Sequence, residues 1–160
     1  FCAVALQELP EARFPTSFES CRRVTSECRR QAMPAEVCLA VAYHETRLRN
    51  LPAYEGRRRI AAGAKPADLP SWIDRGPMQA RPRALCPGRV ADGCDFVEVA
   101  VKHLRWCRVR MARRHRARYS SADAARWQWR NAFACYKLPS RPDWGYASRV
   151  ERYRRRLVEL

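Results

Sequence analysis

No stretch of this chain approaches the roughly 20 consecutive apolar residues that a membrane-crossing helix requires, so no transmembrane helix is expected. There is no CxxC pair, and the histidines, His44, His103 and His115, are scattered. That spacing excludes the usual zinc sites, and no metal is expected. The dipeptide His44-Glu45 invites a zinc-protease reading, but HExxH needs a second histidine where Leu48 stands. Period-2 alternation is nowhere convincing, which argues against a sheet. Repeats and low-complexity tracts are absent, which excludes a repeat array. Lysine is scarce as well. Only Lys65, Lys102 and Lys137 occur, so nearly all of the 32 basic residues are arginine.

What is present points outward from the cell. The 160 residues fit one domain, 1–160, and a hydrophobic content of 47% is enough for a core despite a formal charge of +16. A field of that size implies an anionic partner: nucleic acid, anionic membrane or bacterial cell wall. The even set of eight cysteines favours disulfides and an oxidising compartment, against the alternative of buried free thiols. A periplasmic or secreted location is therefore expected. The turn-rich "PGRVADG" lets Cys86 and Cys94 approach each other, so these two are expected to bond. Cys21 and Cys28 are not, because seven helical residues hold them about 10 Å apart. The opening "FCAVAL" reads either as the tail of a signal sequence or as a first packed turn.

The pattern along the chain is helical, which gives an all-α fold class stabilised by disulfides. Residues 16–32 carry Phe18, Cys21, Val24 and Cys28 at spacings of three and four, with Thr16 or Ser17 as cap. Residues 34–48 form a very apolar helix with Pro34 in its first turn. Residues 49–76, rich in Gly, Pro and charge, read as loop with any strands short. A short helix is expected in "PMQARPRAL", then a long one from Phe96 behind an Asp95 cap, with Val97, Val101, Leu104 and Arg108 as its stripe. Helices over 121–136 and 146–160 close the chain, the last with Tyr146, Val150, Tyr153 and Leu157 on one face.

Glu45 is the anomaly. On a 3.6 period it shares a face with Val37, Val41 and Leu48. A charge on an apolar face is costly, so Glu45 either meets an arginine or has a raised pKa.

Four segments in order, Glu45-Thr46, Gly76-Pro77-Met78-Gln79, Ala134-Cys135-Tyr136 and Tyr146-Ala147-Ser148-Arg149-Val150, carry a resemblance. From about residue 16 onward the chain resembles the lysozyme-like soluble lytic transglycosylases, a family related to goose-type lysozymes. Residues 1–15 then become an N-terminal extension and 49–76 an inserted loop. The resemblance implies cleavage of the β-1,4 bond between N-acetylmuramic acid and N-acetylglucosamine. Glu45 would be the single acid/base, and the product a 1,6-anhydro sugar. It assigns substrate contacts to Thr46, Met78, Gln79, Tyr136 and Tyr146, with Met78 and Gln79 as floor, Gln79 a donor, and Tyr136 facing the glutamate. No cofactor is implied, and the partners are peptidoglycan strands and the anionic wall surface. The chain differs from the family in its longer 49–76 loop, in Pro77, in its cysteine content, and in Lys137 where the family has Asn followed by Gly.

Aromatic platforms for sugars are available at Tyr54, Trp72 and Trp144, while Trp106, Trp127 and Trp129 lie within helices and are expected core or partly buried. The arginine-rich stretch 105–118 reads equally as a solvated face or a binding strip. Competing classes are a hydrolase of goose-type character, an inactive glycan-binding module, and a nucleic-acid-binding helical protein. The last has no helix-turn-helix or zinc-finger signature, so no specific nucleic acid is expected.

Overall fold

A computed structural model describes residues 1–7, 9, 16–70, 72–81, 86, 93–115 and 121–159. Its α-helices are α1 (Cys2–Gln7), α2 (Thr16–Arg30), α3 (Ala35–Thr46), α4 (Tyr54–Ala61), α5 (Phe96–His115), α6 (Ser121–Lys137) and α7 (Trp144–Val158). One 3-10 turn spans Pro66–Asp68. The fold is all-α, and among the described residues the only extended pairing is an isolated bridge between Arg75 and Ala80.

The helices surround α3. Every residue from Val37 to Tyr43 is buried, so α3 has no solvated face and is a core helix instead of an amphipathic one. Helices α2 and α7 pack against it, and α5 joins α2 to α6. Each fully buried Val or Leu here contributes about 1.5–3 kcal/mol of transfer free energy. Helix starts follow side-chain chemistry. Asp95 Oδ1 accepts from Val97 N at 2.9 Å and Glu98 N at 3.1 Å. Asp143 Oδ1 accepts from Tyr146 N at 2.8 Å, which starts α7 two residues earlier than the apolar pattern suggested.

Four expectations need correction. First, α3 ends at Thr46, because Arg47 and Leu48 both turn left-handed, with φ of 56° and 62°. Leu48 is buried in the core but does not extend the helical face of Glu45. Second, the 49–76 segment contains α4 and no strand among its described residues. Glu55 pairs with Arg59 at 3.1 Å along α4. Gly56 lets α4 lie close to the loop, since a Cβ there would sit 2.8 Å from Pro52 Cβ and 2.9 Å from Ile73 Cγ2. Third, residues 77–80 form a turn and bridge, with no helix; residues 82–85 lie outside the described residues. Fourth, Trp106, expected core or partly buried, is 45% exposed, while Trp129 is buried.

Four disulfides pair Cys2 with Cys21, Cys28 with Cys38, Cys86 with Cys94, and Cys107 with Cys135. Cys86 and Cys94 stand 6.1 Å apart at Cα. "FCAVAL" leads into and forms most of α1, with Cys2, Ala5 and Leu6 buried and the helix packed on α2. No described helix is long and apolar enough to cross a membrane. Four disulfides fit an oxidising, extracytoplasmic setting.

Candidate functional site

The end of α3, the 74–81 turn and the end of α6 enclose a cleft of about 260 Å³. Glu45, Asp74, Gln79, His103, Tyr136 and Lys137 line it. Glu45 comes from the last turn of α3, and its side chain is only 9% exposed. Burial raises its pKa above the usual carboxylate range. The carbonyl end of the α3 dipole acts in the same direction. Lys137 opposes both: its Nζ stands 3.4 Å from Glu45 Oε1, on a side chain 43% exposed. Burial wins.

Of the two readings of Glu45, an arginine partner or a raised pKa, the second describes it, and the cation beside it is a lysine. Removing it gives a signed outcome. In Lys137→Met the Glu45 carboxyl loses its counter-charge and holds its proton to higher pH. The folded state then binds more protons than the unfolded chain over a wider window, and stability falls more steeply as pH rises through it. At acid pH, where Glu45 is protonated in both proteins, the exposed lysine changes stability by about 1 kcal/mol or less. Carbon-detected NMR titration of the Glu45 carboxyl reads the midpoint directly, and one at or below wild type refutes this.

The 75–80 turn is fastened to the helices around it. Arg75 and Ala80 exchange backbone hydrogen bonds of 2.8 Å, and Gly76 takes φ +76°, a conformation that favours glycine, where a Cβ would stand 3.0 Å from Phe96 Cβ. The Thr46 hydroxyl donates to Pro77 O at 2.8 Å, with Ala42 O at 3.2 Å. The Tyr136 hydroxyl donates to Met78 O at 2.7 Å. Glu45 and this turn therefore share one rigid frame.

The site residues named from sequence separate into two groups. Glu45, Gln79 and Tyr136 line the cleft. Thr46, Met78 and Tyr146 are buried behind it. Met78 is core, and Thr46 works as a tie between helix and turn. Tyr146 packs edge-on against His44 at 5.0 Å, and its hydroxyl has no hydrogen-bond partner of standard geometry. Burial raises its pKa, and the nearby Glu45 carboxylate raises it further. Tyr136 spends its proton on Met78 O instead of offering it across the cleft. Gln79 is no free donor: its amide nitrogen is committed to Leu51 O at 2.8 Å and Gly76 O at 3.0 Å. What remains for a ligand is its carbonyl oxygen.

Sequence reasoning passed over His103, which lines the cleft and whose pKa burial lowers. It lies one turn before Cys107, whose disulfide to Cys135 was the missing long-range signal. Asp74 shares the cleft, with its carboxylate on Arg81 at 2.8 Å and 3.3 Å. His44 sits outside the cleft lining; burial and the positive charge of Arg149 lower its pKa to about 4. Among the described residues no cluster of His, Cys, Asp or Glu has the geometry of a metal site. Tyr54, Trp72 and Trp144 are exposed, as a sugar platform requires. Family models, curated proteins and solved structures were each compared with this chain, and none matches it.

Proposed function

We propose that this chain is an exported peptidoglycan-cleaving enzyme, a lytic transglycosylase in which Glu45 is the acid/base. One observation carries the reading: a nearly buried carboxyl, with its pKa raised by burial, at the lip of a cleft at the end of the core helix. Glycosidic cleavage needs a proton delivered to a poor leaving oxygen, and a desolvated carboxylic acid delivers it near neutral pH. After the bond breaks, the carboxylate takes the proton of the sugar 6-hydroxyl, the 1,6-anhydro ring closes, and the acid is restored. The substrate's N-acetyl group stabilises the cationic carbon. The positive charge of the chain favours the anionic wall. Incubating purified peptidoglycan with the protein at several salt concentrations, with mass spectrometry of the fragments, tests this. Anhydro-muropeptides support it, and intact glycan strands refute it.

Asp74 favours a second reading, hydrolysis, because it shares the cleft with Glu45. A hydrolase would use that carboxylate to aim water at the sugar carbon. Both Asp74 oxygens already engage Arg81, which suits a structural role. Asp74→Asn should therefore leave the product class unchanged and cost only a modest part of the rate. Reducing-end products that disappear in Asp74→Asn make the protein a lysozyme instead. The Lys137–Glu45 ion pair favours a third reading, an inactive glycan-binding module, since a lysine beside the acid works against the protonated form that must donate first.

A further inference from the structure

We propose that the groove between α6 and α7 is a binding site for a soluble diphosphate group, independent of whatever Glu45 does. The groove encloses about 440 Å³, within the ~300–1,000 Å³ typical of small-ligand sites. It is larger than the Glu45 cleft and shares no lining residue with it. Arg130 comes from α6, and Arg152, Arg155 and Arg156 from α7.

Of these four arginines only Arg155 meets a groove carboxylate among the described residues. Glu151 is spent on Arg154 at 2.8 Å and Arg155 at 3.5 Å. Among the described residues, Arg130, Arg152 and Arg156 have no carboxylate within ion-pair range. Glu159, just past the end of α7, is the one groove acid left to oppose them. Arg130 is also fixed in place, with Nη2 donating to Ser148 Oγ at 3.1 Å and the guanidinium over the Trp127 ring at 4.9 Å. A held guanidinium loses little freedom when it binds, and its fork matches phosphate oxygens. Three like charges around one hollow repel each other, and a multivalent anion relieves that repulsion. The charge of diphosphate at neutral pH matches three guanidiniums better than that of a single phosphate.

Thermal unfolding and calorimetry of the full chain with pyrophosphate, against sodium chloride at matched ionic strength, test the assignment. Arg152 and Arg156 are exposed, so the double variant Arg152→Gln/Arg156→Gln folds. The exposed pair Arg57→Gln/Arg58→Gln on α4 removes the same charge elsewhere. Pyrophosphate should raise the melting temperature of wild type and of the α4 variant by several degrees. Its affinity should fall at least ~10-fold in the groove variant. Without anion, the groove variant should melt no lower than wild type, because it has lost only repulsion. An equal response in both variants assigns the effect to the general positive field and overturns the site. So does a groove variant that melts lower without anion. A third arm uses phosphatidylglycerol vesicles: binding that needs Arg152 and Arg156 without any pyrophosphate response would place the phosphate in a lipid headgroup and overturn the soluble-ligand assignment.

Discussion

If the protein cleaves glycan as proposed, Glu45→Gln should lower the rate by at least ~100-fold, for loss of a positioned general acid, and should leave the protein as stable as before or more so. The two halves of this expectation test different things. Glutamine keeps the shape of the side chain but cannot give up a proton. The stability half follows from burial. The folded state holds the Glu45 proton above the pH at which an unfolded glutamate releases it, so in that window the folded state binds more protons. Stability of the wild type then falls as pH rises through the window, and it stays reduced above it. Glutamine has no such window, so the variant's melting temperature should pull ahead at neutral pH and lose its lead at acid pH. Lys137 loses a partner in the variant, but it is 43% exposed and water takes over. A fully active variant removes the enzyme reading. A variant that is destabilised at neutral pH shows that the ion pair, not the desolvated acid, dominates at this position.

Removing the Cys107–Cys135 bridge has the second large effect. The bond closes a separation of 28 residues between α5 and α6. Loss of a native disulfide of this kind costs about 2–5 kcal/mol, or roughly 5–15 °C in melting temperature for a domain of this size. The position makes the change functional too. His103 lies one turn before Cys107, and Tyr136 and Lys137 directly follow Cys135, so the bond ties together two walls of the Glu45 cleft. Cys107→Ala/Cys135→Ala should lose cleavage at temperatures where circular dichroism still reports helix. The equivalent change at Cys28 and Cys38, neither of which lines the cleft or adjoins a lining residue in sequence, should lose activity only as the protein unfolds. Activity that tracks unfolding equally in both variants removes the special role of the α5–α6 bond.

The fold was legible wherever local chemistry agreed with the tertiary result. The run from Val37 to Tyr43 announced a core helix, and Asp95 announced a cap. Helix α4 was illegible for a physical reason. Gly, Pro and charge argue locally for loop, and what holds α4 is a missing side chain, Gly56, that lets it press on Pro52 and Ile73. Tertiary packing overrode propensity there. The site divided the same way. Glu45 was visible because a carboxylate at the end of an apolar helix is costly. Lys137 was visible as an odd residue, but nothing local says that it reaches across 92 positions to Glu45. Gln79 could not be read correctly, because its donors are consumed by a turn whose left-handed residues, φ +52° at Gln79 itself, are set by the fold. Thr46, Met78 and Tyr146 matched a motif, and a motif does not distinguish the surface of a cleft from the layer beneath it.

The disulfide pattern has a further consequence. Each cysteine bonds to the next one along the chain: 2 with 21, 28 with 38, 86 with 94, 107 with 135. No bridge spans another. A chain that enters an oxidising compartment from its N-terminus can therefore close every bridge with the first free thiol to appear behind it. Thiol–disulfide exchange, the slow correction that interleaved patterns depend on, has nothing to correct here. The order of delivery and the order of pairing are the same.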